Sequence, residues 1–165
     1  GSAYHKLLEL IDFKEEYDKD KLIRTAQRFR DAGRLSPEME ACIRPGDILD
    51  FLNCSSGQRM SRAAREGKLF REQPFVLGVD ASEIYPEDTS GEQILVQGII
   101  DVYFEEPDGL VVLDYKTDRV KTAQELKEKY HAQLDYYAQA LTRLTGKRVK
   151  EKVIYSFTLR KEIAV

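Results

Sequence analysis

"GIIDVYFEEPDGLVVLDYKT", residues 98–117, is the stretch that decides the fold. Two runs of Ile, Val, Phe, Tyr and Leu flank the tetrapeptide EPDG (residues 106–109), in which Pro and Gly occupy the positions that a type I turn favours. The pattern predicts an antiparallel β-hairpin. Asp101 and Asp114 interrupt the two apolar runs, and Lys116 follows at the end of the second. These charges need a reason, because a sheet favours aliphatic side chains there.

The register of the hairpin brings the two acids together. A turn centred in EPDG pairs residues whose numbers have the same sum, so Asp101 faces Asp114. Directly opposed side chains have Cβ atoms about 5 Å apart, and like charges there destabilise the pair. Alternation puts Lys116 on the face of Asp114 and sends Tyr115 to the other face. A divalent cation such as Mg²⁺ or Mn²⁺ suits oxygen ligands from two strands. The alternative is a solvated sheet face, or an ion-pair set with Lys116.

Working outward, helical patterns precede the hairpin and one long helix follows it. Helices are predicted over residues 3–13, 19–32, a short segment opened by Ser36 and Pro37, 47–52, 58–66 and 122–144. Strands are predicted over residues 74–85, 92–104, 110–117 and 152–159. The order β-β-β-α-β predicts an α/β fold with a mixed β-sheet core and an N-terminal helical layer. We expect residues 1–68 to form the helical section and residues 69–165 the α/β core, within one structural domain.

The long helix carries two polar groups on an otherwise apolar face. Gln133 and Tyr137 lie one helical turn apart among Leu, Tyr and Ala residues. Beside a polar site they could support it from the helix. The alternative is an amide at the edge of the core and an aromatic packing residue.

Composition excludes several classes of function. The 165 residues carry a net charge of −3, so bulk charge gives no argument for nucleic acid or membrane binding. Cys42 and Cys54 are too few for a four-cysteine metal site and are expected to be reduced thiols. No apolar run is long enough to span a membrane and no signal sequence is evident, so we expect a cytoplasmic protein without a membrane partner. Gly1-Ser2 has the form of a cloning remnant, which favours a piece of a longer protein.

Local charge is more informative than the total. Basic residues concentrate from Arg119 onward, whereas acidic residues gather between residues 83 and 108. A basic flank beside an acidic centre suits a phosphate backbone. The candidate DNA contacts are Arg62, Arg65, Arg119 and Lys121. The alternative is that they belong to ordinary solvated surfaces.

The motifs together resemble the RecB-type nuclease domains of the PD-(D/E)xK superfamily. The hairpin matches the acid and DxK elements, and "QLDYYAQAL" (residues 133–141) matches the QxxxY motif. The opening "AYHKLLELIDF" (residues 3–13) resembles the histidine-bearing first helix of these domains in bacterial AddAB-type helicase–nucleases, and "REQPFVLG" (residues 71–78) resembles their glutamate-bearing first strand. The resemblance implies a restriction-endonuclease-like fold.

The resemblance also implies a metal site. It assigns Asp101 and Asp114 as Mg²⁺ ligands, together with the backbone carbonyl of Tyr115 and an imidazole nitrogen of His5. It matches Glu72 to a glutamate that holds or orients the metal-bound water. From the residues alone, His5 fits a half-buried structural histidine and Glu72 is one glutamate among many.

Three further residues take roles from the resemblance. Lys116 would position or help to deprotonate the attacking water and stabilise charge in the transition state. Gln133 and Tyr137 would orient the substrate strand or support the site.

The implied activity is hydrolysis of phosphodiester bonds in single-stranded or unwound DNA. Proteins of this type act in the bacterial cytoplasm in the repair of double-strand breaks by recombination, in complex with the AddB subunit, and degrade the 3′-terminated strand until a Chi sequence. The chain has no GxxxxGK[ST] loop, so ATP binding is expected only in a longer polypeptide. Two alternatives are a non-catalytic module that binds DNA or a partner protein, and a duplex-specific endonuclease of the same superfamily.

Overall fold

A five-stranded mixed sheet forms the centre of the computed structural model, which describes residues 2–165. Its strands are β1 (Leu69–Asp80), β2 (Gln93–Glu106), β3 (Gly109–Lys116), β4 (Val149–Ser156) and β5 (Lys161–Ala164), in that spatial order. The helices are α1 (Ala3–Leu10), α2 (Lys19–Asp31), α3 (Pro37–Cys42), α4 (Pro45–Asn53), α5 (Ser55–Arg65), α6 (Ala81–Ile84) and α7 (Ala123–Thr145). Only β3 and β4 are parallel, because α7 connects them as a crossover.

The predicted hairpin register is confirmed. Val102 pairs with Leu113, which has the same residue sum as Asp101 with Asp114. The β2–β3 ladder ends at that pair, whereas the β1–β2 ladder continues to Asp80 opposite Gln93. Residues 73–80 and 93–100 therefore leave the sheet as a two-stranded extension, which we call the ribbon. The two carboxylates lie where the ribbon begins.

The two faces of the sheet have different covers. Leu113 and Tyr115 belong to the core that the N-terminal helices form with the sheet, whereas Val112 belongs to the core beneath α7. Alternation along β3 therefore turns Asp114 and Lys116 toward α7. On the other face, the Phe51 ring of α4 meets the Tyr115 ring edge-on, with 5.2 Å between centroids. The middle residue of the DxK element thus anchors the strand in the helical layer.

The structure confirms the α/β fold class and corrects several boundaries. It adds β5, a four-residue strand that returns along β4 through a turn with Arg160 at φ 55°. The strand predicted over residues 74–85 ends at Asp80, because the Asp80 carboxylate caps α6 by accepting from the Ser82 backbone N–H. The first helix ends at Leu10, not at residue 13, because Ile11 adopts an extended conformation. Within residues 2–165, no helix combines the length and apolar character needed to cross a membrane.

Candidate active site

Two carboxylates meet in a nearly dry environment. Asp114 is only 3% exposed, and its Oδ2 receives no hydrogen bond of acceptable geometry. The Tyr115 backbone N–H donates to Asp101 Oδ2 at 3.0 Å, in place of the next bond of the sheet. Burial, followed by the neighbouring charge of Asp101, raises the pKa of Asp114 to about 7. Burial acts in the same direction on Asp101, but hydrogen bonds with His5 and Asp114 outweigh it and lower the Asp101 pKa.

His5 reaches this pair from the first helix. Its Nε2 lies 3.3 Å from Asp101 Oδ2, while its Nδ1 lies 2.6 Å from the hydroxyl oxygen of Ser2, the N-cap of α1. Burial lowers the pKa of His5, but the hydrogen bond with Asp101, the charges of both acids and the backbone of Tyr115 outweigh burial and raise it. The structure therefore places His5 against the carboxylates, and not merely in the helical core.

The Lys116 ammonium approaches the pair from the α7 side. Its Nζ lies 2.7 Å from Asp114 Oδ2 at an angle outside hydrogen-bond geometry, so this contact is a coulombic one. The same nitrogen donates to Gln133 Oε1 at 3.0 Å. Gln133 thus fixes the lysine beside the acid. Tyr137, one turn further along α7, donates to the backbone carbonyl of Ile99 at 3.4 Å.

Tyr130 and Asp118 complete the surroundings of Lys116, and the sequence pattern did not identify them as functional. The Lys116 Nζ lies 3.8 Å from the centre of the Tyr130 ring, a cation–π contact. The Tyr130 hydroxyl in turn donates to Asp118 Oδ2 at 2.7 Å. One signal was available, since Tyr130 precedes Gln133 by three residues and so shares its helix face. The reach of Asp118 back to α7 depends on a loop that sequence spacing does not define.

Glu72 occupies a strained position in the edge strand. Its φ of 52° lies in the left-handed region, and its neighbours Arg71 and Gln73 keep their pairing with Val102 and Ile100. Such a conformation in a non-glycine residue costs on the order of 1–3 kcal/mol. Burial, and then the charge of Asp101, raise the pKa of the Glu72 carboxyl. The strain therefore occurs where β1 passes the carboxylate pair.

The predicted DNA contacts fall into two groups. Arg119 and Lys121 lie on the loop that leaves β3 directly after Lys116, whereas Arg62 and Arg65 lie on α5. None of the four forms an ion pair within residues 2–165. The structure does not bring the α5 pair to the carboxylates, because the Arg59 side chain fastens that helix near the hairpin turn through an ion pair with Glu106.

The arrangement suits a hard divalent cation in part. Asp101 and Asp114 supply converging oxygens, and the buried Asp114 Oδ2 without a directed donor is the kind of atom that an ion satisfies. Within residues 2–165, no three His, Cys, Asp or Glu side chains converge closely enough to hold an ion by themselves. Backbone carbonyls and water would therefore supply the other ligands, as is usual for Mg²⁺.

Comparison with known proteins defines the class. The profile of the PD-(D/E)XK nuclease superfamily matches residues 1–163. The chain belongs to this superfamily of nucleases, which confirms the resemblance drawn from the motifs.

Its relatives include large helicase–nucleases. The chain is 38% identical to a segment of the AddA subunit of the ATP-dependent helicase/nuclease of Lachnoclostridium phytofermentans. It is 37% identical to segments of the proteins of the same name from Clostridium botulinum strain 657 and Clostridium novyi. Each comparison covers 100% of the chain but only 13 to 14% of the relative. The chain thus corresponds to about one seventh of these proteins.

The carboxylate pair predicts a pH-dependent stability that Asp114→Asn removes. The raised pKa of Asp114 means that the metal-free fold is favoured while this group is protonated and loses stability as pH rises from about 4 through about 7. At about pH 8 the Asn variant should therefore exceed the wild type in unfolding free energy by on the order of 3 kcal/mol, with little difference near pH 4. Urea unfolding at several pH values measures this.

Magnesium supplies the second arm of that experiment. Mg²⁺ should raise the unfolding midpoint of the wild type at about pH 8 much more than at about pH 5, because protons compete for the carboxylates. Asp20→Asn, an exposed acid on α2, is the matched control and should follow the wild type. The same pH dependence in all three proteins would contradict the buried pair.

Proposed function

We propose that this chain is a Mg²⁺-dependent DNA nuclease that hydrolyses phosphodiester bonds, with Mn²⁺ able to substitute for Mg²⁺. The observation that carries the proposal is the buried Asp101–Asp114 pair with the Lys116 ammonium 2.7 Å from Asp114 Oδ2. In this proposal, residues 1–68 and 69–165 act as one structural domain. A shared core supports that view, since Leu8 of α1 and Phe104 of β2 belong to the same buried cluster.

The acids and their neighbours would form the metal site. Asp101 and Asp114 provide the carboxylate oxygens, and His5 together with the backbone carbonyl of Tyr115 would complete the protein ligands. When bound, a divalent ion polarises a phosphoryl oxygen and lowers the pKa of a water molecule. The contact of His5 with Asp101 at 3.3 Å supports its role, because an imidazole that orients a carboxylate is already within reach of whatever the carboxylate holds.

Lys116 would act on the attacking water and on the scissile phosphate. Its ammonium can orient the water, and its positive charge offsets the negative charge that develops on the phosphoryl oxygens. Gln133 Oε1 and the Tyr130 ring hold the ammonium from α7. Tyr137 supports this arrangement by fixing the Ile99 carbonyl, close to Asp101 in the chain. Glu72, with its raised carboxyl pKa, would hold or orient a water at the same site.

The substrate proposed for this site is single-stranded or unwound DNA. Arg119 and Lys121 lie on the loop that leaves the site, so they could pair with backbone phosphates. A contribution from Arg62 and Arg65 requires a strand that also crosses α5.

The relatives suggest the cellular setting. Their name, which designates one subunit of an ATP-dependent helicase/nuclease, favours a role beside a DNA motor in cytoplasmic double-strand break repair. We accordingly propose end-dependent degradation of the 3′-terminated strand until Chi, in complex with an AddB partner.

Replacement of the central residues tests the function. Asp114→Asn and Lys116→Gln should each reduce Mg²⁺-dependent cleavage of end-labelled single-stranded DNA about 100-fold or more, because each removes charge at the reacting phosphate. Lys127→Gln, on the same helix as Gln133, is the matched control and should retain activity. Circular dichroism checks that the variants are folded. Full activity in folded Asp114→Asn would rule out this site, and cleavage of closed circular DNA would favour the endonuclease alternative.

Tyr130 is predicted to position Lys116 without contacting DNA. Tyr130→Phe keeps the ring beneath the ammonium and should retain most activity, whereas Tyr130→Leu should lower kcat about tenfold with little change in KM. Steady-state kinetics on a short single-stranded oligonucleotide separates the two parameters. Equal kcat values for the Phe and Leu variants would exclude the cation–π contact as the cause.

A further inference from the structure

One face of the ribbon exposes apolar side chains to solvent. This ribbon face consists of Pro74, Val76, Leu95, Gln97 and Ile99, with Pro74 opposite Ile99 and Val76 opposite Gln97. Val76, Leu95 and Ile99 are 64%, 71% and 54% exposed. The exposed face of an antiparallel sheet is normally polar, so four apolar residues out of five indicate a surface that something covers.

The fold itself leaves this face open. The alternate residues of the ribbon point toward α7, where Leu77 and Val79 are buried and the Phe75 ring meets the Tyr137 ring edge-on at 5.4 Å. Helix α7 therefore covers one side of the ribbon only. A shallow groove of about 570 Å³ lies along Pro74, Val76 and Ile99 on the other side.

The charge around the ribbon selects the kind of partner. No Lys, Arg or His occurs between residues 72 and 115. Acids gather at the ribbon tip, and none of them forms an ion pair within residues 2–165; they are Asp80, Glu83, Glu87, Asp88 and Glu92. The cation that reaches the ribbon from α7, Arg143, donates to the Gly78 carbonyl. An acidic tip repels nucleic acid and anionic lipid, but it complements a protein surface with Lys and Arg around an apolar centre.

The type of contact follows from the same residues. Strand β1 is at the edge of the sheet, and Pro74 lacks the N–H that an added strand would need. Strand addition along this edge is thus disfavoured, and docking would use the side chains of the face. The face also adjoins the site, because Ile99 precedes Asp101 by two residues and its carbonyl accepts from Tyr137.

We infer that the ribbon face docks on a basic surface of the helicase part of a longer helicase–nuclease polypeptide. This inference rests on the proposed function. It is supported by the charge of the tip and by the extent of the relatives, of which the chain covers only 13 to 14%. Docking there holds the strands that carry Asp101 against the body that delivers DNA.

Thiol labelling tests the inference in a full-length protein. Leu95→Cys is made in a Cys42→Ser background, in the free chain and in the Lachnoclostridium phytofermentans relative with this chain in place of its matching segment. A maleimide reagent should label Cys at this position about tenfold more slowly in the chimera than in the free chain, because the face is covered there. Met39→Cys, exposed on α3, is the matched control and should react at similar rates in both.

The readouts separate this inference from the nuclease assignment. Labelling does not need catalysis, and Leu95→Cys should leave cleavage by the free chain unchanged. Val76→Cys is a second reporter, and ATP hydrolysis by the chimera reports that its body is folded. Equally fast labelling at both ribbon positions would overturn the inference. So would protection that depends on the concentration of the free chain, which indicates a second copy, or on added single-stranded DNA.

Discussion

The structure depends on holding two carboxylates side by side with little water. Asp101 and Asp114 face each other because the turn fixes the hairpin register, and burial makes their repulsion costly. The surrounding groups are arranged against that cost. The Tyr115 backbone N–H and His5 approach Asp101, and Lys116 approaches Asp114. A hairpin with Asn at both positions would fold with less strain, so the charges point to a function other than stability.

The topology explains how distant segments reach this pair. The β2–β3 ladder stops one residue pair before the acids, which opens the sheet at that point. Helix α1 then supplies His5, and α7 supplies Gln133 and Tyr130 to the ammonium of Lys116. Because β3 is buried under both covers, its alternation directs Tyr115 to the helical layer and the reactive groups to α7. The same opening releases the ribbon, whose apolar face has no cover within residues 2–165.

Sequence reasoning could predict what depends on local periodicity. The turn tetrapeptide determined the register, and the four-residue spacing placed Gln133 and Tyr137 on one helix face. The contact of His5 with Asp101 depends on how α1 docks, which no local pattern encodes, so only the motif resemblance indicated it. The positive φ of Glu72 and the Asp118–Tyr130 bond are tertiary consequences of the bend in β1 and of the loop after β3. Strand β5 escaped prediction because four residues are too few to show an alternating pattern.

A crystal structure of the chain soaked in Mn²⁺, with anomalous diffraction data, tests the central claim most directly. The account predicts an anomalous peak between Asp101 and Asp114, about 2.0–2.3 Å from a carboxylate oxygen of each, with His5 or the Tyr115 carbonyl in the same coordination sphere. No peak between these acids at saturating Mn²⁺, with both carboxylates still bonded only to protein groups, would contradict it.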